Sequence, residues 1–196
     1  MTPAIALLDA NVLYPAPLRD LLMQLAVSGL FQARWSSEIE DEWMRNLLAV
    51  RPELSARIAR TQAVMRRAIP DALVTGYAPR IAGLSLPDPD DRHVLAAATT
   101  AAADVIVTFN LKDFPADVLA PYGLEARHPD AFLQSFIAAM PLQILAGVRA
   151  CLARLTRPPI SATSYLNILR RLGLTETAAF LEGNLEAWQP SPRPAE

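Results

Sequence analysis

The sequence predicts an α/β fold, a mostly parallel sheet flanked by helices, with a small all-α subdomain after it. Three observations carry this. Ala4–Leu8 and Val105–Thr108 are continuous apolar runs of the kind that form buried strands. Strand-like runs alternate with helical stretches, the pattern of parallel strands joined by crossover helices. After Pro141 the strand signals stop, and three helical stretches follow, at roughly 142–156, 162–172 and 175–187. The expected organisation is a first domain over 1–139, a helical extension over 140–188 and a disordered tail over 189–196 (PSPRPAE from Pro190).

The elements follow in order. The first run ends in Asp9-Ala10-Asn11. Pro15 and Pro17 open an amphipathic stretch, Leu18–Ser28, whose leucines recur at helical spacing until Gly29 stops it. Gln32–Trp35 is a candidate second strand. Ser36 or Ser37 caps the next helix, and Glu38, Glu40, Asp41 and Glu42 stand in its first turns, where the helix dipole favours acids. Residues 53–68 predict a further helix, and Ala72–Thr75 a short strand. Leu86–Asp91 is a loop entering an alanine-rich helix, roughly 90–102, with Asp88 at the N-cap and Pro89 at the first helical position. Phe109–Pro115 follows the second apolar run. Gly123–Ala126 is a candidate last strand, before a helix from about Pro129 to Ala139.

A chain of 196 residues buries about 70% of its unfolded surface and needs neither disulfide nor metal to fold. With 52% apolar and 19% charged residues, wholesale disorder is excluded. Cys151 is the single cysteine, which rules out an intrachain disulfide framework and a cysteine-rich zinc site. His93 and His128 are too few for a His-rich metal site. No apolar run approaches the ~20 residues of a membrane span, and MTPAIALLDANVL has no basic n-region. A cytoplasmic protein with no membrane partner is therefore expected. The net charge of −2 argues against a protein that coats DNA. Locally the balance differs, because Arg45 to Arg67 holds six arginines against Glu53 alone.

In open α/β sheets ligands bind beyond the carboxyl ends of the strands. Asp9 ends the first strand. Asn110 and Asp113 follow the Val105–Thr108 strand, Asp91 lies in the first turn of the helix that feeds it, and Glu42 lies on the acidic helix. Two unit charges 4 Å apart repel by about 4 kcal/mol at an effective dielectric near 20. Three or four carboxylates gathered at one rim therefore call for a divalent cation, and oxygen ligands favour Mg²⁺ or Mn²⁺.

Four segments in succession, LLDANVL, SSEIEDEW, DPDDRHVLAAA and DVIVTFNLKDF, resemble the motifs of PIN-domain ribonucleases, and among these the VapC-type toxins of bacterial toxin–antitoxin pairs. The resemblance covers roughly residues 4–135. It implies a PIN-like sheet and an endoribonuclease dependent on one or two Mg²⁺ (or Mn²⁺) ions. It maps an acidic quartet onto Asp9, Glu42, Asp91 and Asp113, with Asn110 beside the fourth acid as a further ligand candidate. Many PIN domains carry aspartate where this chain has Asn110. The family register alone selects Glu42 from its acidic neighbours. The resemblance also implies an RNA substrate and a cognate VapB-like antitoxin as inhibitor, and leaves a homodimer open. Arg57, Arg60 and Arg66 are the candidate contacts to the RNA backbone, and Thr108 a candidate for phosphate.

Each of these residues has a plainer reading. Asp88 suits capping alone, Asn110 and Asp113 can be an N-cap and third helical residue, and the arginines can be a solvated helix face. His93 and His128 read as surface or packing residues, and Trp35, Trp43 and Trp188 as core or interface. Two other functions compete. A haloacid-dehalogenase-like phosphatase needs Asp-x-Asp after the first strand, where this chain has Asn11. A non-catalytic PIN-like binding module is permitted by Asn110. In the extension, Leu142, Leu145, Ala146, Val148, Leu152 and Leu155 predict an apolar stripe. Ser161 or Thr163, and then Thr175, are the expected caps. Three short helices cannot bury such stripes alone, so they should pack on the first domain or on a partner.

Overall fold

The two apolar runs become adjacent central strands of a five-stranded parallel sheet. The computed structural model describes residues 3–155 and 160–189. Its strands are β1 (Ile5–Leu8), β2 (Gln32–Ser36), β3 (Leu73–Val74), β4 (Val105–Val107) and β5 (Glu125–Arg127). Their order is β3-β2-β1-β4-β5. Ala6, Leu7, Leu8, Ile106 and Val107 have no exposed surface, so β1 and β4 are covered on both faces. That is why both read as unbroken apolar runs rather than alternating ones.

Crossovers join the strands. Helices α1 (Ala10–Leu13) and α2 (Ala16–Val27) lead to β2, and α3 (Ser37–Val50) and α4 (Ser55–Ala68) to β3. Then α5 (Ala78–Ile81) and α6 (Arg92–Thr100) lead to β4, and α7 (Ala116–Leu119) to β5. Gly29, at φ 82°, ends the α2 segment in a conformation that costs glycine little. Ser36 caps α3, its hydroxyl accepting from the Ile39 N–H at 3.1 Å. Asp88 caps a 3-10 turn at Pro89–Asp91, so α6 starts only at Arg92 and Asp91 stands at its N-terminal boundary rather than inside its first turn.

After β5 come α8 (Pro129–Ala139), α9 (Pro141–Arg154), α10 (Ala162–Arg171), α11 (Thr175–Glu182) and α12 (Leu185–Trp188). The last predicted helix is thus divided at Gly183–Asn184. These helices join the same hydrophobic core as the sheet. The α9 stripe is rotated from the expected one: Ile144, Leu145, Val148, Cys151 and Leu152 are buried, while Ala146 is exposed and Leu142 is 77% exposed. The cause is Gly147. A Cβ there would meet Leu25 Cδ2 at 2.6 Å, so α9 lies backbone-close on α2 through this residue. At α11 the cap is Asp130 of α8, not Thr175. Its carboxylate accepts from the N–H groups of Glu176 and Thr177, both at 2.9 Å, and from the Thr177 hydroxyl at 2.6 Å. No helix among the described residues is long and apolar enough to cross a membrane. The expected disordered tail lies, apart from Gln189, outside the described residues.

Candidate acidic site

Parallel register sets Leu8 of β1 beside Val107 of β4, so the next residues, Asp9 and Thr108, leave the sheet together. This is where the strand order turns from one direction to the other, and where an α/β sheet opens a crevice. Asp9 is 4% exposed, yet its carboxylate is fully engaged. Oδ1 accepts from the Ala10 N–H at 2.7 Å, and Oδ2 from the Thr108 hydroxyl at 2.7 Å and the Asn11 amide at 2.6 Å. Burial pushes the Asp9 carboxyl up, against the lowering by these bonds, and the charge of Glu42 adds to the rise. Asn11 closes the arrangement by accepting from the Phe109 N–H at 3.1 Å, which fixes the loop after β4 to α1.

That loop carries Asp113. A 3-10 turn at Leu111–Asp113 brings its buried carboxylate under Asn110, whose amide donates to it. Asp88, Asp91 and Asp113 each present a carboxylate oxygen, and the three lie within 4.8 Å of one another. Asp91 is pushed up to about 7, first by burial and then by the charges of Asp9, Asp88, Asp113 and Glu42. Five acids therefore share one field, although only three meet the tight spacing. An all-oxygen donor set with crowded negative charge fits a hard divalent cation such as Mg²⁺ or Mn²⁺. Asp88, read from sequence as a cap, does both jobs: Oδ1 accepts from the Asp90 N–H at 2.9 Å, and a carboxylate oxygen joins the trio.

Glu42 approaches from α3 and stands beside His93, whose Nε2 is 3.5 Å from its Oε2. His93 is buried, not a surface residue, and its Nδ1 lies 3.9 Å from Glu38 Oε2 without a hydrogen bond. Burial presses its pKa down, but the Glu42 bond and the charges of Glu38, Glu42 and Asp9 outweigh this and raise it overall. Of the other acids in this stretch, Glu40 is fully buried. It accepts from the Trp35 indole N–H at 2.8 Å, the Gln62 amide at 2.9 Å and the Arg66 guanidinium. Glu40 thus joins β2, α3 and α4.

The expected RNA contacts fall in different places. Thr108 is fully buried and its hydroxyl is engaged by Asp9, Asn11 and the Asn110 N–H, so it orients the site from behind. Arg66 is held by Glu40. Arg57 and Arg60 line a groove of about 820 Å³ with Met23, Val27 and Val64, and none of the five acids lines it. Sequence reasoning missed His93 and Asn11 as parts of the site. The available signal was position alone, two residues after Asp91 and two after Asp9.

A family model described as PIN domain matches residues 6–112, and one described as VapC50 C-terminal domain matches residues 129–183. A protein of Mycobacterium tuberculosis described as "Putative ribonuclease VapC50" is 43% identical over 79 residues, which is 40% of this chain and 47% of that protein. The match thus spans about half the length of the curated relative. No solved structure matches. The first family model covers more than half of the chain, from β1 past Asp88 and Asp91 to the residue before Asp113, and the chain belongs to the PIN-domain family.

Proposed function

We propose that the chain is a metal-dependent endoribonuclease, the toxin of a VapBC-type toxin–antitoxin pair. The observation that carries the reading is the crowding of Asp88, Asp91 and Asp113 at the β1/β4 crevice, with Asp91 pushed up to about 7. Acids whose charges oppose one another this strongly gain when a cation is bound.

Asp91 and Asp113, with Asp9, Glu42 and Asp88 around them, would hold Mg²⁺ or Mn²⁺. What such a cation supplies is positive charge that offsets the phosphodiester and makes water a stronger acid. The chain's own residues do the rest. Thr108 and Asn11 fix the Asp9 carboxylate, and Asn110 fixes Asp113, so Asp113 is the fourth acid and Asn110 its support. Glu42, steadied by His93, accepts the proton of the attacking water. Water oxygen bonds to phosphorus, the P–O3′ bond breaks, and the 3′ oxygen takes a proton from solvent. The ends are 5′-phosphate and 3′-hydroxyl. The basic groove at Arg57 and Arg60 is separate from the acids and suits an antitoxin segment with acidic and apolar side chains.

The test is incubation of the purified chain with single-stranded RNA in Mg²⁺, in Mn²⁺ and in chelator, with end-group analysis. Cleavage that needs the cation and leaves 5′-phosphates supports the reading. Release of phosphate from small phosphomonoesters, without RNA cleavage, overturns it.

A further inference from the structure

A second cavity adjoins the acids. It has a volume of about 360 Å³ and is lined by Ala10, Asn11, Tyr14, Glu42, Asn46 and Val50. Two of these, Asn11 and Glu42, belong to the acidic site, so the cavity opens directly beside it. Glu42, Asn46 and Val50 are spaced four apart on α3 and form one stripe, which faces Asn11 and Tyr14 at α1. Moving from Glu42 to Asn46 is a rise of about 6 Å along the helix. The cavity is near the small end of ligand pockets, roughly 300–1,000 Å³, which suits one planar ring system better than a helix or strand.

Its chemistry is that of a base site. The half-buried Tyr14 offers an aromatic face, and single-stranded bases stack on such faces whatever their sequence. Exposed Asn46 offers a donor and an acceptor side by side, and so pairs with an edge that also sets a donor beside an acceptor. Every base sets a donor beside an acceptor on its Watson–Crick edge, and guanine alone also sets two donors together, at N1–H and N2–H. Exposed Val50 closes the far end with an apolar surface.

We propose that this cavity holds one unpaired base of the RNA, the nucleotide next to the cut phosphate, stacked on Tyr14 and hydrogen-bonded through its Watson–Crick edge to Asn46. The proposal rests on the nuclease reading above. It adds two residues, Tyr14 and Asn46, that touch substrate without handling the cation.

The experiment is cleavage of a randomised single-stranded RNA pool in Mn²⁺, with every cut mapped by sequencing, for wild type, Asn46→Ala, Asn46→Asp, Tyr14→Ala and Tyr14→Phe. Wild type should cut with a base preference at one position flanking the cut, and Asn46 should set it. Asn46→Ala should weaken that preference. Asn46→Asp, which only accepts, should enrich guanine, whose edge sets two donors together. Tyr14→Ala should raise KM on the order of tenfold with kcat kept within about twofold, and Tyr14→Phe, which keeps the stacking ring, should recover most of that loss in KM. Asn46 is exposed on a helix, so its variants read recognition and not folding. Cutting by wild type with the same base preference in both Asn46 variants overturns the base site and leaves the nuclease reading standing. A wild-type protein that cuts nothing in the pool overturns both.

Discussion

The Thr108 hydroxyl donates to Asp9 Oδ2 at 2.7 Å, joining the ends of the two central strands at the point where the sheet order turns. The Thr108 hydroxyl oxygen in turn accepts from the Asn11 amide at 2.8 Å and from the Asn110 N–H at 3.0 Å. Thr108→Val keeps the shape and removes all three. We expect a loss of about 1–3 kcal/mol in chemical denaturation, because buried partners are left unsatisfied. Unchanged stability would show that the network is incidental.

The metal-free protein should be less stable at pH 8 than at pH 5. Asp91 is raised to about 7 in the folded state, against an ordinary value of 3.8. Between those values the folded chain binds more protons than the unfolded one, so stability falls as pH rises through the window. His93, also raised, acts in the same direction: its contribution is complete below the ordinary histidine value and is lost as pH climbs through the folded one. Asp91→Asn should flatten the slope. After allowance for solvent screening of this part-exposed group, the effect at pH 8 is roughly 1–2 kcal/mol in favour of the variant. Denaturation midpoints across pH, with and without Mn²⁺, check the sign, and Mn²⁺ should reverse the trend in wild type.

His93→Gln should lower RNA cleavage by about 10–100-fold, the usual cost of losing a group that orients a ligand carboxylate. Its circular dichroism should stay native. A rate within twofold of wild type would make His93 a packing residue only.

Asp130→Ala should destabilise the protein by about 2 kcal/mol, since it removes the cap of α11 and leaves the buried Thr177 hydroxyl without its acceptor. Hydrogen exchange should rise first in α11. Mn²⁺ binding at the acids should not change, because Asp130 is no part of that cluster.

Sequence reading succeeded where the signal is local. The two apolar runs became β1 and β4, and Pro129–Ala139 became α8 with the expected ends. It failed where the deciding atom belongs to a distant element. The stripe on α9 turned because Gly147 meets Leu25 of α2. Thr175 lost the cap of α11 to Asp130, more than forty residues away. His93 looked ordinary until α3 brought Glu42 and Glu38 to it. Asp88 reads from sequence as a cap alone, and only the approach of Asp113 brings it into the cluster. The order of the acids along the chain is legible without a structure, whereas the side chains that hold them in place come from tertiary packing.

The most direct measurement of the central claim is the RNA cleavage rate of Asp91→Asn beside wild type, at saturating Mn²⁺ and with the fold verified. Asp91 lies in the acidic trio and bears the charges of four neighbouring acids. Its neutral isostere should cut at less than about 1% of the wild-type rate, since the loss of one metal-site carboxylate removes charge that positions both cation and water. A rate within a few-fold of wild type would contradict the assignment of these acids to catalysis.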